Sequence, residues 1–200
     1  MMHQDHGRRH GAFADPDKAA AKWNSSERDA WQRLEEIVAA LDLRAGATVA
    51  DIGAGAGYMV AHLSKAVGEN GTVIAIDAED AMIEYLSNHI EALRPATVIP
   101  QKVGADDPNL PNESVDAILI LDVWHHIGGR LDYAKKLHAA VKPGGRLVIV
   151  DSEIDAEIGP PMNMRIAPDE AQRELVAAGF RAEVVGESMP RHYMIVANKD

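Results

Sequence analysis

The segment Thr48-Val-Ala-Asp-Ile-Gly-Ala-Gly-Ala-Gly57 joins a strand-length apolar run, Val49, Ala50 and Ile52, to three glycines at alternating positions. The run reads as a short buried strand. Gly53, Gly55 and Gly57 free the backbone to turn tightly and to approach a ligand without Cβ collisions. From about Tyr58 to Val67 the stripe Val60, Leu63, Val67 predicts a helix whose amino end, with its unpaired N–H groups, points back at the loop. The whole reads as a nucleotide-type binding loop.

Spacing separates the ligand classes. A dinucleotide fingerprint is G-x-G-x-x-G, with bare backbone against a pyrophosphate; here the third glycine arrives one residue early and Asp51 precedes the first. A carboxylate there repels a diphosphate but suits a cationic amine or sulfonium. The G-x-x-x-x-G-K-[ST] phosphate cradle is absent. A second strand, Thr72-Val-Ile-Ala-Ile-Asp77, ends in an acid 20 residues after Gly57, where ribose hydroxyls are bound in such folds. Two acids at neighbouring strand ends imply a nucleoside with positive charge nearby.

Four ordered motifs, Val49 to Gly57, Ile76-Asp77, Ser114-Val-Asp-Ala-Ile-Leu-Ile-Leu-Asp122, and Leu137 to Val150 with its Lys-Pro-Gly-Gly turn, resemble those of class I S-adenosylmethionine-dependent methyltransferases. The similarity is to the small-molecule type, such as the methyltransferase domain of ubiquinone and menaquinone biosynthesis, and covers roughly residues 41–152 with a weaker tail. It implies an α/β fold, a Rossmann-like, doubly wound, mostly parallel seven-stranded sheet with helices on both faces. It also implies S-adenosylmethionine as cofactor. The expected cofactor-binding set is Asp51, Gly53, Ala54, Gly55, Gly57, Asp77, Ala78, Met82, Asp106, Asp107 and Asp122. Of these, Asp106 or Asp107 is expected on the adenine amine, although both also fit as solvated turn caps.

Two hundred residues, 46% of them hydrophobic, can bury one full core. We expect residues 41–200 to form the cofactor-binding domain, with 1–40 an N-terminal segment and helix. A net charge of −11, with no Lys/Arg cluster beyond Arg8-Arg9, disfavours nucleic acid as partner. A small-molecule acceptor is expected instead. The absence of cysteine excludes disulfides, thiolate metal sites and cysteine nucleophiles. No apolar run approaches membrane length or forms a leader, so a soluble, cytoplasmic protein without a membrane partner is expected.

Residues 1–23 are polar and mixed. They read as a mobile terminus, or as a lid over the acceptor pocket with Phe13 and Trp23 as its apolar anchors, or, least of all, as a metal site at His6 and His10. Ser26-Glu-Arg-Asp29 has the shape of a capping box, and Trp31, Leu34, Val38 and Leu41 then repeat at helical intervals. Met82, Leu86, His89 and Leu93 predict one helix ending before Pro95. A third strand is expected over 97–103, a fifth at Leu147 to Val150, a helix at Pro168 to Ala178, and final strands at Ala182 to Val185 and Tyr193 to Ala197.

Val115 to Leu121 is nearly all apolar, as a central parallel strand is, so Asp122-Val-Trp-His-His126 should emerge beside the cofactor where strand order reverses. Methyl transfer from a sulfonium requires alignment in a water-poor pocket and, for a protonated acceptor, a base. His125 and His126 are the candidates for that base, with pocket lining as their other reading. Trp124 is a candidate for cation–π contact and Tyr193 for the acceptor side. The loop around Gly159-Pro-Pro161 is long enough to be functional. A catalytically silent S-adenosylmethionine-binding regulatory protein and, less well, an NAD-dependent oxidoreductase remain as alternatives.

Overall fold

In the computed structural model residues 15–200 are described, so Phe13, His6 and His10 lie outside the described residues. Among the described residues a seven-stranded sheet runs in the order β3-β2-β1-β4-β5-β7-β6. The strands are β1 (Thr48–Ile52), β2 (Thr72–Asp77), β3 (Thr97–Lys102), β4 (Val115–Leu121), β5 (Val141–Ser152), β6 (Arg181–Val185) and β7 (His192–Asn198). The first five are parallel, and β7 is antiparallel to both its neighbours. Strand order therefore reverses between β1 and β4, which opens a crevice at their carboxyl ends.

Among the described residues seven α-helices accompany the strands: α1 (Pro16–Trp23), α2 (Ser26–Gln32), α3 (Leu34–Ala40), α4 (Tyr58–Val67), α5 (Asp80–Asn88), α6 (Arg130–Ala140) and α7 (Pro168–Ala177). β4 explains why a continuous apolar run was needed. Ala117, Leu119 and Leu121 belong to the core under α3 and α4, while Ile118 and Ile120 belong to the one under α6 and α7. Alternation across the pleat has an apolar environment on both sides. Among the described residues no helix is long and apolar enough to cross a membrane.

Four local expectations are corrected. Residues 16–23 form a helix, started by Asp15, whose carboxylate accepts the Lys18 N–H, and by Pro16 in the first turn. The next cap is Ser25, one residue ahead of the expected box, its hydroxyl accepting the Glu27 N–H. The helix expected through Leu41 is broken at Arg33, which is left-handed at φ 50°. That break lets Trp31 turn toward the crevice while Leu34, Ile37 and Leu41 pack on the sheet. The helix expected to Leu93 likewise ends at Asn88, and a 3-10 turn (Ile90–Leu93) carries Leu93 into the core while His89 stays exposed.

Candidate active site

The carboxyl ends of β1, β2 and β4 and the loops after β3 and β5 surround a cleft of about 960 Å³, roofed by α1 and α2. Its floor is the glycine loop. Gly53 and Ala54 donate their N–H groups to the Ile76 carbonyl at 2.8 and 2.9 Å, tying the loop to β2. The Asp77 carboxylate accepts Gly55 N–H at 2.8 Å and Glu79 N–H at 2.9 Å, so this acid shapes the loop as well as facing the cleft. Each oxygen retains a lone pair for a further donor.

The three glycines have two different reasons. A Cβ on Gly53, at φ 77°, would sit 2.3 Å from Val123 Cγ2; on Gly57, at φ 87°, it would sit 2.9 Å from Leu86 Cδ2. Both are close-packing positions, and Gly57 is not among the cleft-lining residues. Gly55, at φ 52°, has only the Gly53 carbonyl oxygen within 4.0 Å of its missing Cβ, so its open side belongs to a ligand.

Asp51 is only 3% exposed. Burial, and next to it the charge of Asp77, push its carboxyl up to about 7, against the opposing pull of Arg28. Asp77 is also raised, by burial, with the N–H groups of Glu79 and Gly55 holding it back. Over these acids α1 and α2 are pinned to the loop: Asn24 Nδ2 donates to the Ala56 carbonyl at 2.9 Å, and Tyr58 donates its hydroxyl to Asp29 at 2.7 Å. Arg28 lies 4.2 Å over the Tyr58 ring, and burial lowers its guanidinium pKa from the ordinary value.

Beyond β4 the cleft has a second half containing two histidine–aspartate pairs. Asp122, at φ 58°, faces His192 Nε2 at 2.6 Å and the Arg28 guanidinium at 3.5 Å. Burial would raise its carboxyl, but the hydrogen bond and charge of His192, then Arg28, hold it below the usual range. The His192 ring stacks on Trp31 at 5.8 Å and 13°. In the other pair His125 Nδ1 lies 2.7 Å from Asp151 Oδ1, and the His125 backbone N–H donates to Asp151 Oδ2 at 2.9 Å. His126 is exposed on the lining, its ring centroid 4.1 Å from that of His125. Ile158, Gly159 and Pro160 close this half, their loop pinned by Arg165, which donates to the carbonyls of Ala156 and Pro160 at 2.7 and 2.8 Å.

The cleft thus gathers Asp51, Gly53, Ala54, Gly55, Asp77, Ala78, Asp122, His125 and His126. Others fall outside its lining. Met82 is fully buried on α5. Trp124 is core, its indole N–H donating to Glu174 at 3.2 Å, which rules out the expected contact with a sulfonium. Tyr193 is 2% exposed on β7, its hydroxyl buried without a hydrogen-bond partner among the described residues, and burial raises its phenol. Asp106 and Asp107 are exposed, with Lys136 bound to the Asp106 carbonyl and the Asp107 carboxylate at 2.9 Å each. Val103, Gly104 and Ala105 border the cleft there instead. Arg28, Trp31, Asp151 and His192 were not singled out from sequence. For Asp151 a signal existed: like β2 and β4, β5 runs apolar into an acid at its end.

A family model described as a methyltransferase domain matches residues 49–145. The chain is 30% identical over 153 residues to the tRNA U34 carboxymethyltransferase of Methylococcus capsulatus, covering 75% of this chain and 43% of that protein. It is 29% identical over 125 residues to the ubiquinone/menaquinone biosynthesis C-methyltransferase UbiE of Citrobacter koseri, covering 60% and 48%. The chain spans less than half the length of these curated relatives. A solved SAM-dependent methyltransferase from Aquifex aeolicus superposes with a TM-score of 0.84 over 93% of this chain and 99% of that one, at 29% identity.

Proposed function

We propose that this chain, which belongs to the class I S-adenosylmethionine-dependent methyltransferases, transfers a methyl group to a small, partly apolar acceptor held in the half of the cleft between His125, Trp31 and the Gly159-Pro160 loop. The supporting observation is that the glycine loop and the two histidine–aspartate pairs open into one roofed cleft. When bound, S-adenosylmethionine supplies a methyl carbon activated by a positive sulfur. The residues fit that group: Gly55 leaves backbone bare, Asp77 keeps lone pairs for ribose hydroxyls, and Asp51 offers a buried anion to the ammonium end. Arg28, beside Asp51 and Asp122, suits a carboxylate. The roof by α1 and α2 keeps water from the centre and fixes the approach of the acceptor.

The chain's net charge of −11 supports a small acceptor over a polyanion. The test is label transfer from methyl-tritiated S-adenosylmethionine into a low-mass metabolite fraction and, separately, into bulk tRNA. We expect label in the low-mass fraction. Label confined to tRNA overturns the acceptor reading, and label in neither leaves a silent binder. In thermal denaturation, S-adenosylmethionine or its demethylated product at a hundred times its Kd should stabilise the fold by about 2.7 kcal/mol, with NAD giving none.

Asp77→Ala removes both a ligand acceptor and the anchor of the Gly55 and Glu79 N–H groups. Cofactor affinity should fall by about 1.5 to 3 kcal/mol in titration calorimetry, with a small loss of Tm as well. Unchanged affinity would mean that the ribose lies elsewhere.

A further inference from the structure

Cofactor binding does not account for Asp151. At 1% exposure it keeps a carboxylate out of water, a cost of several kcal/mol for an ion without partners. Its partners are specific. Oδ2 accepts the His125 backbone N–H at 2.9 Å; Oδ1 accepts the Ser152 N–H at 2.7 Å and faces the His125 ring at 2.7 Å. A carboxylate has only lone pairs to offer, so the ring nitrogen it meets carries the proton. Neutral His125 is thereby fixed as the Nδ1–H tautomer, with the lone pair on Nε2. One acid grips both the backbone and the ring of the same residue, which is more than turn closure needs. The His125 side chain, 4% exposed, is on the cleft lining, and its neighbour His126 is exposed.

We propose that Asp151 is the positioning residue that holds His125 as a base through Nε2, and that the acceptor accordingly bears a dissociable proton: a hydroxyl, an N–H or an acidic C–H, not a thioether or another lone-pair nucleophile. This rests on the transferase reading of the cleft. His125 Nε2 takes the acceptor's proton while the acceptor's electron pair closes on the methyl carbon. The pair of the broken carbon–sulfur bond goes to sulfur, and the imidazolium proton leaves to water. His126 lines the pocket and is not the base.

The test uses the full chain with ¹⁵N-labelled histidine, in mildly alkaline buffer, and reads the ring spectrum together with label transfer to the low-mass fraction. In wild type His125 should show Nδ1–H and a bare Nε2. In Asp151→Asn every orientation of the amide opposes an NH₂ to an N–H or to the ring nitrogen, so the His125 ring signals should move. The rate should fall about 10²-fold or more while affinity for S-adenosylhomocysteine stays within about threefold. His125→Gln should lose about 10²- to 10⁴-fold and His126→Gln less than tenfold. A wild-type Nε2–H tautomer, or near-normal transfer by His125→Gln, overturns the proposal even if Asp151→Asn does not fold. Absence of any transfer by wild type instead overturns the transferase reading itself.

Discussion

Asp51→Asn should make the cofactor-free protein more stable at pH 8 and change it little at pH 4. The carboxyl is 3% exposed and is pushed to about 7 by burial and by Asp77, from an ordinary 3.8. The sign follows from proton counting. Between those two values the folded chain holds a proton that the unfolded chain has released, so stability falls as pH rises through that window. Below about pH 4 the group costs nothing, and above about pH 7 the full cost is present. At about 1.4 kcal/mol per pH unit, that cost is on the order of 4 kcal/mol. Asparagine cannot ionise and removes it. The same anion is the match for a cationic ligand, so wild-type affinity for S-adenosylmethionine should climb as pH passes 7, and the Asn variant should bind more weakly with a flat profile. Calorimetric melting from pH 4.5 to 8.5 with parallel titrations checks both. Parallel stability curves for the two proteins would remove Asp51 as the pH-sensitive group.

Substituting the first two loop glycines should separate packing from ligand contact. Gly53→Ala brings a Cβ to 2.3 Å from Val123 Cγ2 at a φ of 77°. Left-handed strain of about 1 to 2 kcal/mol adds to overpacking of about 1 to 3 kcal/mol. The loss should appear as a lower Tm without any ligand. Gly55→Val carries backbone strain of the same kind, but its Cβ meets no protein atom nearer than 4.0 Å, on the side that faces the ligand space. It should keep most of its Tm and lose cofactor affinity by at least tenfold. Full affinity in Gly55→Val would refute the placement of the cofactor on this loop, and a normal Tm in Gly53→Ala would mean that Val123 yields easily.

What the sequence made legible is what local pattern encodes. β1, β2 and β4 are short apolar runs ending in or at an acid, and their adjacency follows from the fold that the four motifs resemble. The glycine loop was legible as a ligand site, but not the separate duties of its glycines, because Val123 and Leu86 arrive from elements 70 and 29 residues away. Side-chain pairs across strand ends were harder still. His125–Asp151 and His192–Asp122 join residues 26 and 70 apart, and only the sheet order brings them together. Met82 shows the converse: the resemblance implied a cofactor contact for it, yet on α5 it is fully buried. Arg33 carries no sequence signal of a break, since a left-handed arginine is set by how α2 and α3 each pack and not by its own preference.

The strand that contributes His192 follows β6 in the chain but lies between β5 and β6. During synthesis, β5 must therefore wait with a bare edge while some forty residues are made, since its antiparallel neighbour from Ser152↔His192 to Arg146↔Asn198 does not yet exist. An apolar edge of that kind is where nascent chains pair wrongly with one another. β7, when it emerges, both seals that edge and delivers the histidine to Asp122, so a chain caught before this point is at once prone to aggregate and unable to complete its cleft.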